Sequence, residues 1–456
     1  MAEPTPVKIL RGHKSQIHAA AFVRGNDRLA TGDADGYVML WDLAIMRPKA
    51  VWRAHENAIL AIRGWGSDKM ITTSHGRDHR LVVWQLRAED EEILSSASPL
   101  EQTGDAPPQP WMLHVLDVNT MNFCAFAGCP NTPGASATLA DDSGASILVA
   151  VPNTLLAESI DIFELPSQKR IHTVKPGGKH GMAMTLAILY KERHLVLVAG
   201  FENGMCSVFV LRENTNEWIT TYRGQPHSQP VLSLDADSRG KYFISSAADA
   251  LIVKHPIPTS LQTIIPGVPA AEQVATAMEN RTPVPQAASA GIGALFAGEP
   301  SSAAGASGIS IVGTKAWEDP IKVANTKHAG QQSLVIRSDG RLFATAGWDS
   351  KIRVYATKSL KELAVLKWHQ VGVYAAAFAH LTSEAAQDPT THSNEQRQQV
   401  TSSTQEASSS ALVARHGEAV ESRAMTVKDR RLHKAKHTHW LAAGAKDGKI
   451  SLWDLY

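Results

Sequence analysis

Residues 10–43 read LRGHKSQIHAAAFVRGNDRLATGDADGYVMLWDL, and the same arrangement returns further along the chain. Residues 52–62 give WRAHENAILAI and residues 70–86 give MITTSHGRDHRLVVWQL. His13 and His55 stand 42 residues apart, and Trp41 and Trp84 stand 43 apart. A third copy is KHAGQQSLVIRSDGRLFATAGWDSKIRVYAT (327–357). A fourth opens at Trp368–His369 and closes on HWLAAGAKDGKISLWDLY (439–456). A fixed period of this length marks units that bury their apolar faces only by stacking on their neighbours. Within each copy, short runs of alternating apolar and polar residues lie between Gly, Asp and Asn turns, the pattern of antiparallel strands.

The spacing inside the copies is equally regular. Asp35, Asp78, Asp349 and Asp447 each fall six residues before an aromatic: Trp41, Trp84, Tyr355 and Trp453. Four residues before the first three stand Thr31, Ser74 and Thr345, and the last copy has Ala443 there. With His13, His55, His328 and His369 upstream, this pattern resembles the WD40 repeat, whose copies form the blades of a β-propeller. In that family the His, Ser/Thr, Asp and aromatic form a structural hydrogen-bond set. Their recurrence in every copy suits structure and not a hydrolase triad, because buried polar groups must be paired.

Three worn copies fill the middle. Residues 182–211 bring His180, Asn203 and Phe209 near the expected places. Residues 227–257 carry His227, Ser245 and Asp249, with His255 where an aromatic would sit. Residues 121–165 end in IDIFEL, with Phe163 at the Trp position and no recognisable His or turn Asp. The fold expected is all-β: one seven-bladed WD40 β-propeller over residues 1–456, its third blade the weakest. The extended segment Pro6–Leu10 is expected to add the outer strand of the last blade, so that the two ends pair and close the ring. Residues 87–110, 259–309 and 380–436 break the period with Ser, Thr, Gln, Ala, Gly and Pro, and are expected to be long flexible surface insertions.

Composition narrows the function. The chain is 43% hydrophobic and 20% charged with a net charge of +1, so no bulk field draws it to nucleic acid or to anionic lipid. Three cysteines, Cys124, Cys129 and Cys206, do not make a disulfide framework and suggest a reducing compartment. The opening MAEPTPVKIL lacks a secretory pattern, and the apolar run Gly181–Tyr190 is far too short to span a bilayer. A soluble intracellular protein is expected, with no membrane partner.

No phosphate-binding or dinucleotide glycine motif occurs; GASGIS (305–310) reads as a loop. The C-x4-C pair Cys124/Cys129 has no second pair to complete a zinc site, and His416, His433, His437 and His439 lie in a run of changing character. No catalytic, cofactor or metal residue is expected, and no cofactor. The basic run Lys428–Lys436 (KDRRLHKAK) reads as an import signal, as a local nucleic-acid contact or as a solvated loop edge. In a propeller the loop with the His and the turn with the Asp open on one face. Arg77, Phe201, Trp348 and Trp368, beside those markers, are therefore the candidate partner-binding residues.

Beyond the repeat, the opening stretch, the segment PWMLHVLDVNTMNFCAF (110–126) and the ending AAGAKDGKISLWDLY (442–456) resemble the fungal ASTRA-associated protein 1 family. The resemblance implies a non-catalytic scaffold, a nuclear subunit with the cytoplasm as a second location. Its implied partners are PI3-kinase-related kinases, their Tel/Tti maturation factors and RuvB-like AAA+ ATPases, in a hetero-complex tied to chromatin remodelling and telomere maintenance. Other readings are a generic adaptor, such as a ubiquitin-ligase receptor or a G-protein-β-like subunit, and a propeller enzyme or methyl-lysine reader. Those last two need a lone polar cluster or an aromatic cage at the central channel, which the sequence does not show.

Overall fold

The strands that carry the repeat are apolar along most of their length where two other sheets cover them, and alternate only where one face meets water. VMLW, LVVW, LVAV and LVLVA are continuous buried runs. The structure, a computed structural model, describes residues 4–74, 79–101, 108–118, 123–133, 146–178, 180–264, 313–381 and 426–455. It is a seven-bladed β-propeller, each blade a four-stranded antiparallel sheet.

The last blade is built from both ends of the chain and includes β1 (Lys8–Arg11). Blade 1 contains β2 (Ile17–Val23), β3 (Arg28–Asp33), β4 (Tyr37–Asp42) and β5 (Arg47–Arg53). Blade 2 contains β6 (Ile59–Trp65), β7 (Lys69–Ser74), β8 (Arg80–Gln85) and β9 (Trp111–Asp117), with helix α1 (Ala88–Ile93) between the last two. Blade 3 contains β10 (Ala127–Pro130), β11 (Ile147–Pro152), β12 (Ile160–Leu165) and β13 (Lys169–Val174). Blade 4 contains β14 (Ala183–Lys191), β15 (His194–Phe201), β16 (Cys206–Arg212) and β17 (Glu217–Gly224). Blade 5 contains β18 (Val231–Ala236), β19 (Tyr242–Ala247) and β20 (Leu251–Pro256). A small hairpin, β21 (Gln262–Ile264) with β22 (Gly313–Lys315), precedes that blade's outer strand β23 (Lys322–Asn325). Blade 6 contains β24 (Gln331–Ile336), β25 (Leu342–Gly347), β26 (Ile352–Ala356) and β27 (Glu362–Leu366). Blade 7 contains β28 (Val373–Phe378), helix α2 (Val427–His437), β29 (Trp440–Ala445) and β30 (Lys449–Asp454), and β1 pairs with β30 in the register Leu10↔Ile450. The ring is closed by that pairing.

The core lies between blades. One cluster joins Leu10, Ile17, Trp41, Trp440 and Ile450 from blades 7 and 1; another joins Trp52, Ile59 and Trp84 from blades 1 and 2. The turn after β3 is pressed against the next blade: a Cβ on Gly36, at φ +83°, would lie 1.9 Å from the His55 carbonyl oxygen. Only glycine permits that approach. Gly448 of blade 7 lies in the same way over the His13 carbonyl.

The innermost strands bond to each other through side chains. The Leu334 N–H donates to Ser233 Oγ (3.0 Å), Ile336 N–H to Asp235 Oδ2 (2.8 Å) and Ala376 N–H to Ser333 Oγ (3.2 Å). These edge amides would otherwise be unsatisfied between the blades.

All three of the expected flexible insertions carry folded parts, which corrects that expectation: residues 259–309 begin with β21, paired with β22. Residues 87–101 fold onto blades 1 and 2. Glu91 of α1 is buried and pairs with Arg24 and Arg28, and the Val51 N–H donates to the Ser95 carbonyl (2.7 Å). The basic run is not a loop edge: it forms α2, capped by Thr426 and Asp429. Residues 102–107, 265–309 and 382–425 of the three insertions lie outside the described residues.

Candidate interaction faces and the buried polar sets

Because strands alternate in direction, the first-to-second and third-to-fourth strand connections of every blade share one face. The second-to-third connections and the passages between blades share the other. On this second face lie the buried polar sets.

In blade 1, His13 Nδ1–H donates to Asp33 Oδ2 and its Nε2 meets Thr31 Oγ1, both at 2.7 Å. Trp41 Nε1–H donates to the same hydroxyl at 2.8 Å. The acid is Asp33 rather than Asp35. Asp33 is fully buried at the end of β3, and its other oxygen accepts the Asp35 and Tyr37 N–H groups. Asp35 is exposed at the turn and is met by the Ser15 hydroxyl.

Blade 2 shifts likewise. His55 Nε2 meets Thr72 Oγ1 at 2.8 Å, and Trp84 Nε1–H donates to it at 2.9 Å, so Thr72 holds the place that Thr31 holds in blade 1; the Ser74 side chain lies outside the described residues. The reason lies in register: Thr72 faces Val82 across the sheet as Thr31 faces Met39, with two more residues between them. A backward count from the Trp through this longer turn lands on Ser74. Asp78 and Arg77 lie outside the described residues.

In blade 6, His328 is exposed and stands 3.9 Å from Asp349, outside hydrogen-bond reach. Gln331 takes its place and accepts from Thr345 Oγ1 at 2.6 Å. Asp349 turns to Arg353, which donates to both its oxygens at 3.1 and 2.6 Å. Burial alone would raise the Asp349 carboxyl, and this fork more than offsets it, so its pKa falls below the usual value. Tyr355 keeps the aromatic place, stacked on Phe343 at 4.9 Å.

Blade 7 solves the missing Ser/Thr at Ala443 from the facing strand. Ser451 Oγ meets His369 Nε2 at 2.8 Å and accepts Trp453 Nε1–H at 2.9 Å. Asp447 is exposed and pairs with Lys449 instead of His369. Burial pushes the His369 imidazole down to about 4. Ser451 escaped the fixed offsets because it lies on the third strand; its signal was a Ser two residues before the Trp.

The worn fifth blade has the longest chain of bonds. Asp249, His227, Ser245, His255 and Tyr222 follow one another, with His227 Nε2–Ser245 Oγ and Ser245 Oγ–His255 Nε2 both 2.8 Å and His255 Nδ1–Tyr222 Oη 2.7 Å. In blade 4 the set has dissolved. His180 turns to the Gly177 carbonyl, the Phe209 ring has no N–H to give, and Ser207 Oγ is buried without a hydrogen-bond partner among the described residues. Blade 3 uses other residues: buried Asp161 accepts from Asn153 Nδ2 (2.8 Å) and Thr173 Oγ1 (2.6 Å).

Of the expected partner-binding residues, Phe201 is wholly buried in the core against His180, so no partner can reach it. Trp368 is half-buried, edge-on to His369 at 5.0 Å. Trp348 is 49% exposed. Its ring lies on Gly330, where a Cβ would come within 2.2 Å, and its Nε1–H donates to Gln332 Oε1 at 2.8 Å. A large aromatic is thereby seated on this face, and elsewhere on the same face Tyr374 stacks on His18 at 5.6 Å.

The channel itself holds a cavity of about 420 Å³ lined by the inner strands. Asp235, whose carboxyl burial raises to about 6, and Arg63 face it. Asp235 is engaged in joining blades 5 and 6. Cys129 and Cys206 are buried thiols pushed up to about 12, far from a reactive thiolate. Among the described residues no group of three or more His, Cys, Asp or Glu is placed to hold a metal.

Comparison with known proteins covers this whole architecture. The family model for ASTRA-associated protein 1 matches residues 6–453. An ASTRA-associated protein 1 of Verticillium alfalfae is 48% identical, over 99% of this chain and 93% of its own. That of Pyricularia oryzae is 44% identical over 100% and 98%, and that of Schizosaccharomyces pombe 29% over 83% and 94%. Shared length and shared repeats together leave one assignment: the chain belongs to the ASTRA-associated protein 1 family.

Proposed function

We propose that this protein is a non-catalytic interaction scaffold within the ASTRA complex, acting in the nucleus with a second pool in the cytoplasm. The observation that carries the reading is the match to ASTRA-associated protein 1 along residues 6–453, blades and connections alike. The partners that follow are RuvB-like AAA+ ATPases, Tel/Tti maturation factors and PI3-kinase-related kinases, and the processes are kinase maturation and chromatin remodelling. The polar sets support a structural role for the triad-like residues: they recur around the ring and lie buried inside it.

On the face that bears these sets, Trp348 is the anchor for a partner. A fixed, half-exposed Trp offers large contact area at little ordering cost. Affinity purification of the tagged chain should recover RuvB-like ATPases and Tel/Tti factors, and Trp348→Ala should weaken that recovery at least tenfold. Recovery of cullin-ligase subunits in their place would sink the ASTRA reading, and undiminished recovery by Trp348→Ala would sink the anchor.

A further inference from the structure

Helix α2 sits on the face opposite Trp348, at the end of the connection that follows β28. Its inner side is pinned. Ala435 is buried beside Leu43 and Trp440, and its carbonyl accepts Trp440 Nε1–H at 3.0 Å. Asn26 Nδ2 donates to the Lys436 carbonyl at 3.2 Å, and Lys436 pairs with Asp27 at 3.1 Å. Its outer side carries Arg430, Arg431 and Lys434, all exposed. The acid within α2, Asp429, is spent on the cap, where it accepts from Thr426 Oγ1 at 2.7 Å. Lys434 is the i+4 neighbour of Arg430 and the i+3 neighbour of Arg431, with Cβ atoms about 5–6 Å apart, and among the described residues no carboxylate is paired with the three cations.

We infer that this stripe docks an acidic segment of a partner protein, through carboxylates clustered closely enough to meet all three cations at once. Charge complementarity names the occupant, and the pinned helix supplies it in fixed geometry, which lowers the cost of ordering. The chain's own residues 382–425 do not fit: they hold six acids, no two adjacent, diluted by three arginines. Nucleic acid fits less well. Its phosphate footprint extends well beyond three charges. An import receptor that reads an extended basic run would have to unwind a helix whose Ala435 and Lys436 are already engaged. The stripe is a second interface, independent of Trp348.

The test uses the full chain and a fluorescein-labelled peptide of six Glu-Asp repeats, with a labelled 20-base-pair duplex as competitor class. Peptide binding at 50 mM salt should weaken at 150 mM, as exposed charge pairs do. Arg430→Gln with Arg431→Gln and Lys434→Gln should lower affinity at least tenfold at unchanged melting temperature. Lys358→Gln with Lys361→Gln and Lys367→Gln, cations on another blade, should change it less than twofold. Arg431→Gln alone, a milder change, should show an intermediate loss. Absence of peptide binding, equal losses in both triple variants, or tighter binding of the duplex would each overturn the inference.

Discussion

Asp33 and Asp35 are two residues apart and chemically identical, yet burial assigns them opposite weights. Removing the Asp33 carboxylate strands His13 and two backbone N–H groups inside the blade. Asp33→Ala should cost about 3–5 kcal/mol, the range for breaking a buried pair from one side. Asp35→Ala should stay within about 0.5 kcal/mol, as an exposed substitution. Urea denaturation of the two variants checks this, and a larger loss at Asp35 would reverse the assignment. Ser451 and Ser207 make a second such pair. Each lies opposite an alanine, Ala443 and Ala199, and two residues before an aromatic. Ser451 joins a histidine to an indole, whereas Ser207 has no hydrogen-bond partner among the described residues. Ser451→Ala should therefore lose about 2–3 kcal/mol by orphaning two buried groups. Ser207→Ala should gain about 1 kcal/mol by removing an unsatisfied hydroxyl. Thermal melts with equal shifts would show that the two hydroxyls are equivalent after all. These residues also mark the limit of reading by offsets. A count fixes position along the chain, but hydrogen bonding follows register across the sheet, and the two part wherever a turn gains residues, as between Thr72 and Val82.

At the scale of elements, the strands were far more legible than what joins them. Continuous apolar runs and turn glycines placed the blades, including worn ones, because burial between neighbouring sheets demands them whatever the polar set does. The connections obeyed another rule. RAEDEEILSS looked like solvated loop by composition, yet its four acids include one, Glu91, that two arginines of blade 1 draw under cover. That pairing is made across 63 and 67 residues, so no local pattern could announce it. Glu91→Ala should cost about 3 kcal/mol by taking from Arg24 its paired carboxylate and leaving Arg28 with Asp42 alone. Faster amide exchange confined to residues 87–101 and the adjoining β5 would accompany it. Unchanged exchange there would mean that α1 is held by Leu94 and the surrounding apolar contacts alone. Helix α2 was hidden for a related reason: its charge density suggested solvent, while Ala435 and the Thr426–Asp429 cap give it a fixed seat.

For the whole molecule, the two faces differ in kind. One is trimmed to short turns locked by glycine and by buried histidines. The strand ends that bound the four longest connections lie on the other: Pro130 and Ile147, Gln85 and Trp111, Pro256 and Lys322, Phe378 and Trp440. A ring of sheets tolerates this asymmetry because each blade is held through its lateral neighbours, and the ends of its strands bear little of the core. Family membership was legible from segments outside the repeat, whereas the seat of Trp348 on Gly330 depends on a contact across 18 residues that no local pattern carries.

The pairing of β1 with β30 has a consequence in time. Leu10 and Ile450 are partners across 440 residues. At about 5–20 residues per second of synthesis, β1 leaves the ribosome roughly 20–90 s before the strand that receives it. During that interval blade 7 does not exist and blade 1 lacks a neighbour on one side, leaving Ile17 and Trp41 uncovered. Because β1 is made long before β30, the nascent propeller is an open arc whose apolar flank must be shielded until β30 arrives.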